Sequence, residues 1–318
     1  MKRNSFGLLI SLILFFVGIS SAENTSIFSL PGELNSLAKQ AMAQALQTNY
    51  AASYATIQKI EKKNAGAACV LRNIVRLSEF DDLGDTVALI KAHEELSQCK
   101  ADSAWDVLRE FELGYAMSAL GHSFKGALGT RSAAKKFEDS KDKDAQAIYS
   151  IYAYYVDDGF SFLPFVSDDR ETYLKILEER SAKSEFFWAL FATPLAWMYY
   201  DREEYEKALA VVNRALGKAP GNPIFIQMKA DMLYKLKRYA EAAEIYEKSS
   251  KDYYKRSKKS VRYFCAVGNL ARIYLAAGDD EKAKMKAGKF NDPAYEKVEK
   301  WMPASLVKDL KKKNLLWF

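Results

Sequence analysis

The 318-residue chain holds two histidines, His93 and His122, and neither stands where imidazole chemistry needs it. His93-Glu94-Glu95 lacks the second histidine that a helical zinc-protease site requires, and His122 has no cysteine or carboxylate cluster at ligand spacing. Both read as ordinary surface or core residues. There is no glycine loop of the kind that cradles phosphate and no nucleophile elbow. A catalytic site would have to be assembled from scattered residues, so the sequence predicts a non-enzyme with no cofactor and no metal. The cysteines are Cys69, Cys99 and Cys265. In an oxidising compartment Cys69 and Cys99 can staple two neighbouring helices if their geometry allows, leaving Cys265 single; buried free cysteines on helix faces fit the odd count equally.

What positions any binding residues is a repeat. Laid one above the other, 189–222 and 223–256 share a period of 34, with small and aromatic residues in the same slots. Leu195, Ala196, Tyr199, Tyr205, Ala208, Val212, Ala215 and Pro220 mark the first copy; Ala230, Leu233, Tyr239, Ala242, Tyr246 and Ser249 answer in the second. Antiparallel helices approach closely only where side chains are small, so Ala196 and Ala208 mark a contact with Tyr199 and Tyr205 beside it. One such hairpin leaves an apolar face open, and at least three are expected. A third copy spans 264–290, with Leu270, Ala271, Tyr274, Gly278 and Ala283 in the slots and Asp280 in place of the usual aromatic. It lies seven residues beyond the period, so the stretch from Lys251 to Arg262 must lengthen a helix or loop.

These residues resemble the tetratricopeptide repeat, here in an exported bacterial protein of unassigned chemistry. The resemblance implies an all-α fold, an α-solenoid of antiparallel helix hairpins wound as a superhelix. In that family the first helix of each hairpin lines a concave groove. Carried over slot by slot, this implicates Trp197 and Tyr200, then Gln227, Asp231, Tyr234 and Lys235, then Arg272 with Asn269 one turn before it. Such a groove grips an extended peptide or an amphipathic helix of a protein partner. The family's clamp for acidic chain ends needs Lys and Asn in slots here filled by Thr193 and Trp197, so that specificity is not implied. Pro194 should kink its helix, and Trp197 with Tyr200 can instead pack against a neighbouring loop around Phe160 to Phe165. The other reading is a small-molecule-binding subunit of an envelope transport system, with a closed pocket lined by Tyr152, Tyr155, Trp188 and Trp197.

The rest of the chain frames this region. Residues 1–22 read as a signal peptide: Lys2 and Arg3, an apolar run from Phe6 to Val17, then Ser20-Ser21-Ala22 before the cut. The mature chain is therefore expected to be exported, periplasmic or secreted, with no stable membrane insertion. Lys plus Arg outnumber Asp plus Glu by only 47 to 41, and the clusters at 255–259 and 311–313 read as solvated helix ends, so no nucleic-acid partner is expected. Residues 23–156 form a degenerate helical-repeat region, with helices expected at 27–47, 50–61, 67–77, 103–120 and 122–137. Lys62 to Gly66 should form a turn, and Gly114 should be a small contact residue. An apolar loop at 157–170, broken by Gly159 and Pro164, should plug the adjoining core, and Asp168 or Asp169 should cap the helix that follows. The 171–291 region carries the clear repeats, and 292–318 reads as short capping helices; the terminal Phe318 has the look of a barrel ending but no strands precede it.

Overall fold

The computed structural model describes residues 26–160 and 168–316; the stretch 1–22 expected as a leader, the body of the apolar loop and Phe318 lie outside them. The described residues form sixteen α-helices and no strand. They pair in sequence as antiparallel hairpins: α1 (Glu33–Leu46) with α2 (Tyr50–Glu61), α3 (Ala65–Leu83) with α4 (Thr86–Gln98), α5 (Ser103–Ala119) with α6 (Ser123–Lys135), and α7 (Lys143–Phe160) with α8 (Arg170–Lys183). The clear repeats follow as α9 (Trp188–Asp201) with α10 (Tyr205–Lys218), α11 (Pro223–Lys235) with α12 (Tyr239–Ser257), and α13 (Val261–Ala276) with α14 (Asp280–Ala287). The short α15 (Ala294–Val298) and α16 (Ala304–Lys312) close the end. The fold is the expected α-solenoid of helix hairpins.

Backbone chemistry sets the hairpin turns. In five of them the residue after the helix C-cap is left-handed: Thr48, Gly121, Glu203, Lys237 and Gly278. The next amide then donates to a carbonyl five residues back, as Glu204 does to Tyr199 and Asn49 does to Gln44, both at 2.9 Å. This caps the orphan carbonyls of the first helix and turns the chain into the second. Three of the five residues are not glycine, so the turn is held at some steric cost. Because α1/α2 and α5/α6 use it too, the degenerate half is built on the same hairpin. At α5/α6 the helices nearly touch: a Cβ on Gly114 would lie 2.3 Å from the Thr130 hydroxyl. In the first clear copy Ala196 and Ala208 are both fully buried, as their slots require.

The superhelix closes on itself. Helix α3 lies against α11 and α13, the Asn222 amide donates to the Leu46 carbonyl at 2.9 Å, and Lys39 pairs with Glu185 at 2.7 Å. Phe28 inserts edge-on among Trp105, Phe137 and Phe187, with ring centroids 5.2–5.9 Å apart. One buried cluster therefore runs from Phe28 to Ile273. The fastening is Asp82, fully buried, which accepts from Tyr50 at 2.9 Å, Tyr253 at 3.3 Å and the Arg256 guanidinium. Tyr253 and Arg256 sit on the lengthened end of α12, which has 19 residues against 14 in α10, while α13 has 16 against 13 in α11, so the extra residues extend helices rather than a loop.

Some expectations change. Residues 62–66 are not all turn: Asn64 caps α3 by accepting from Ala67 at 2.9 Å. Gly66 lies inside the helix, where a Cβ would meet the Ala101 backbone at 2.8 Å, so its value is close approach. Helix α7 continues through Gly159 to Phe160, since a glycine near a helix end is tolerated at about 1 kcal/mol. Its end is tied to the next helix: the Asp169 amide donates to Asp157 at 2.9 Å, and Arg170 pairs with Asp158 at 2.6 Å. Asp168 takes the capping role, accepting from the Arg170 amide at 3.2 Å. Pro194 lies inside α9, which spans Trp188–Asp201.

Cys69 and Cys99 are joined, with Cα atoms 6.4 Å apart and 30 positions of chain between them; Cys265 is free and buried. Removing this crosslink by Cys69→Ser with Cys99→Ser should cost about 3–4 kcal/mol on the loop-entropy relation, read as a lower urea midpoint. Asp82→Ala leaves two buried hydroxyls and a guanidinium without their acceptor. It should cost about 3 kcal/mol, and a midpoint equal to the parent's would show that the two halves are held elsewhere.

Candidate functional site

The eight residues assigned to a concave groove fall on α9, α11 and α13, and the structure divides them into two sets. One set forms an aromatic and cationic row. The rings of Trp197 and Tyr200 meet edge to face at 5.2 Å, and Tyr200 meets Tyr205 at 5.4 Å. Lys235 stands over the Tyr200 and Tyr205 rings at 5.1 and 5.5 Å, and the Arg272 guanidinium lies 4.6 Å over Tyr234. These contacts order the side chains at little entropic cost. Trp197, Tyr200 and Tyr234 are half-buried and Lys235 is exposed.

The other set turns inward. Tyr246 donates to Asp231 at 2.7 Å and accepts from Asn269 at 3.0 Å, Arg272 donates to Asn269 at 2.8 Å, and Gln227 donates to Tyr253. Burial raises the Asp231 carboxyl above its ordinary value and pushes the Tyr246 phenol far up, with the Asp231 charge adding to the latter. Gln227, Asp231 and Asn269 thus spend their polar groups on the fold. The groove is not open along its whole length, because α3 packs against α11 and α13 behind them. The repeat slots could not reveal this, since the fastening at Asp82 joins residues 174 positions apart.

At the end of the row away from α13, α7 contributes Tyr155, 45% exposed, whose phenol is pushed up to about 12 by burial, then by Asp201 and its neighbours. The Asp201 carboxyl is raised by burial and by Asp158. Of the four residues of the expected closed pocket, Trp188 and Trp197 stand nine positions apart on α9. Trp188 and Trp197 are separated along α9 by about 13 Å; Trp188 stacks on Phe225 at 6.0 Å under Lys218 at 4.8 Å. Trp188 instead borders an open hollow of about 410 Å³ with Lys39, Leu46, Glu185 and Lys218.

A second polar cluster, absent from the repeat slots, lies where α3, α5 and α13 meet. Tyr115 donates to Asp81 at 2.8 Å. Arg262 approaches the same carboxylate only to 3.9 Å, beyond hydrogen-bond reach. Glu112 is 5% exposed, its Oε1 has no hydrogen-bond partner, and neither has the buried Nε of Arg262. Burial, helped by the Asp81 charge, lifts the Glu112 carboxyl to about 8. The visible signal was Glu112 itself, an acid one step from Phe111 on a face that buries Leu108 and Phe111. Among the described residues, no group of three or more His, Cys, Asp and Glu side chains is placed to hold a metal.

The Glu112 shift has a definite sign. Its folded pKa of about 8 stands above the ordinary 4.5, so the folded chain keeps a proton that the unfolded chain releases between those limits. Its contribution is fully present below pH 4.5 and is lost as the pH rises through 8, at about 1.4 kcal/mol per pH unit. Glu112→Gln, which cannot ionise, should therefore gain on the parent by that slope across the window in urea unfolding. Parallel profiles would mean that Glu112 is ionised in the fold.

No protein-family model matches the chain, and no curated protein matches it. Among solved structures, a tetratricopeptide repeat protein from Parabacteroides merdae is 12% identical with a TM-score of 0.39, covering 85% of this chain and 99% of its own. The human IFIT1 dimer with PPP-AAAA is 14% identical with a TM-score of 0.39, covering 86% of this chain and 76% of its own. The helical-repeat assignment rests on the hairpins, their shared turns and the 34-residue slots of this chain itself.

Proposed function

We propose that this chain is a non-catalytic, exported scaffold that grips an extended peptide segment of a protein partner along Trp197, Tyr200, Tyr234, Lys235 and Arg272. The observation that carries this is the row itself. Tyr200 and Tyr234 occupy the same slot of successive repeats, each half-buried and each under a cation from the next inner helix. Repeated, pre-ordered rings with a basic partner present alternating flat and charged surface at a fixed step, which suits a chain laid across them. A periplasmic or secreted location accords with the leader-like start and with the Cys69–Cys99 crosslink. No described helix is long and apolar enough to cross a membrane.

The test is capture from the native envelope by residues 23–318, run beside Trp197→Ala with Tyr234→Ala. The parent should retain a protein partner that the double variant loses by at least 10-fold, with helical circular dichroism unchanged. Equal capture by both would move the interface off this row.

A further inference from the structure

Helix α6 carries a face that the rest of the described fold does not cover. From Leu113 to Phe137 the chain has no Asp or Glu, although its 318 residues hold 41 of them, and α6 lies within that stretch. At about 100° per residue, Phe124, Leu128, Arg131 and Lys135 project within about 60° of one another, and the buried Gly126 and Ala133 lie on the opposite side. Phe124 is 78% exposed, more than any other large apolar side chain among the described residues, and Leu128 is 47% exposed. Lys125, Arg131 and Lys135 are exposed and enter no ion pair among the described residues, whereas Lys136 is drawn to Glu110 at 2.6 Å.

The orientation of this face is fixed from behind. A Cβ on Gly126 would lie 2.6 Å from the Gly114 carbonyl oxygen, and one on Gly114 would lie 2.7 Å from the Thr130 amide nitrogen, so α5 and α6 meet backbone to backbone. A helix seated that closely cannot turn about its axis to bury Phe124. In the isolated chain the ring stays in water.

What covers such a face must answer both halves of it. Lys125, Arg131 and Lys135 call for negative charge, and α6 holds no acid of its own. Phe124 and Leu128, one turn apart, call for an apolar layer within reach of the same charges. A nucleic-acid backbone supplies the charge without that layer. An anionic bilayer supplies both, phosphate at its surface and hydrocarbon beneath, and needs no matching shape. Basic side chains reach the phosphates while their apolar stems lie beside the deeper ring.

We infer that α6 docks the folded chain on an anionic lipid surface, with Phe124 and Leu128 dipping between the headgroups and Lys125, Arg131 and Lys135 set against phosphate. The contact is peripheral. Helix α6 is the second of its hairpin, whereas the aromatic row lies on the first helices α9, α11 and α13, so the lipid contact uses none of the row and stands apart from the peptide reading.

Residues 23–318 are sedimented with vesicles of phosphatidylcholine alone and with vesicles that also contain about 30% phosphatidylglycerol, an anionic surface of the kind that attracts basic segments. The chain should partition about 10-fold more strongly onto the anionic vesicles. Raising the salt to about 1 M, where the screening length falls to about 3 Å, should weaken that binding about 10-fold. Phe124→Ser with Leu128→Ser, and separately Arg131→Glu with Lys135→Glu, should each lose about 10-fold in partition. All four side chains are exposed, so both variants should keep the circular dichroism of the parent, and Trp197→Ala with Tyr234→Ala should sediment as the parent does. The inference is overturned if the parent stays in solution with both vesicles, which would leave an acidic protein surface as the partner. It is equally overturned if neutral vesicles hold the chain as well as anionic ones, or if either folded α6 variant sediments like the parent. A vesicle-free dimer in light scattering that Phe124→Ser with Leu128→Ser disperses would also overturn it, by giving the face to a second copy of the chain.

Discussion

Asp82 is a carboxylate with no exposed surface, and such a group is tolerated only when every part of its charge is answered. Here the answer comes from three directions: Tyr50 on the neighbouring helix, and Tyr253 with Arg256 on the far end of α12. The requirement therefore joins the first two hairpins to the sixth. A run of hairpins needs contact only between neighbours, and nothing in that rule brings residue 82 to residue 256. The buried charge does. Its partners exist because α12 runs on to Ser257, so part of the irregularity in the repeat length serves the closure of the superhelix.

Closure changes what the inner helices can do. In an open superhelix the polar residues of α11 and α13 would face solvent along a continuous groove. Here Gln227, Asp231 and Asn269 form hydrogen bonds with Tyr253 and Tyr246 of α12, and α3 packs against α11 and α13 beside them. The inner face thus carries a row of aromatics under cations, apart from the polar cluster of α3, α5 and α13.

Much of the fold was legible because helical repeats write their contacts locally. Ala196 and Ala208 had to be small, Gly114 had to admit Thr130, and Tyr50 to Glu61 carried its apolar face at helical spacing; each is a constraint between residues close in sequence or in matching slots. The hairpin turns were less visible, since Thr48, Glu203 and Lys237 adopt a left-handed conformation that glycine would have advertised. The candidate site was legible in half. Ring positions such as Tyr200 and Tyr234 follow from the period, but whether Asp231 or Asn269 is available depends on Tyr246 and on the neighbour that covers it. The second cluster draws one member from each of α3 and α13 and two from α5, and no local pattern links them.

The contrast between Asp81 and Asp82 shows how one turn of helix can serve both ends. Consecutive residues on a helix point about 100° apart, so a single turn directs Asp82 into the core and Asp81 toward Tyr115 on α5. Val261, packed 2.8 Å from where a Cβ on Gly84 would be, holds the end of α3 against the start of α13 and brings Arg262 alongside. Arg262 stays 3.9 Å from Asp81, which instead accepts from Tyr115. The same short stretch thus carries one carboxylate answered on every side and one whose charged neighbour stays beyond hydrogen-bond reach.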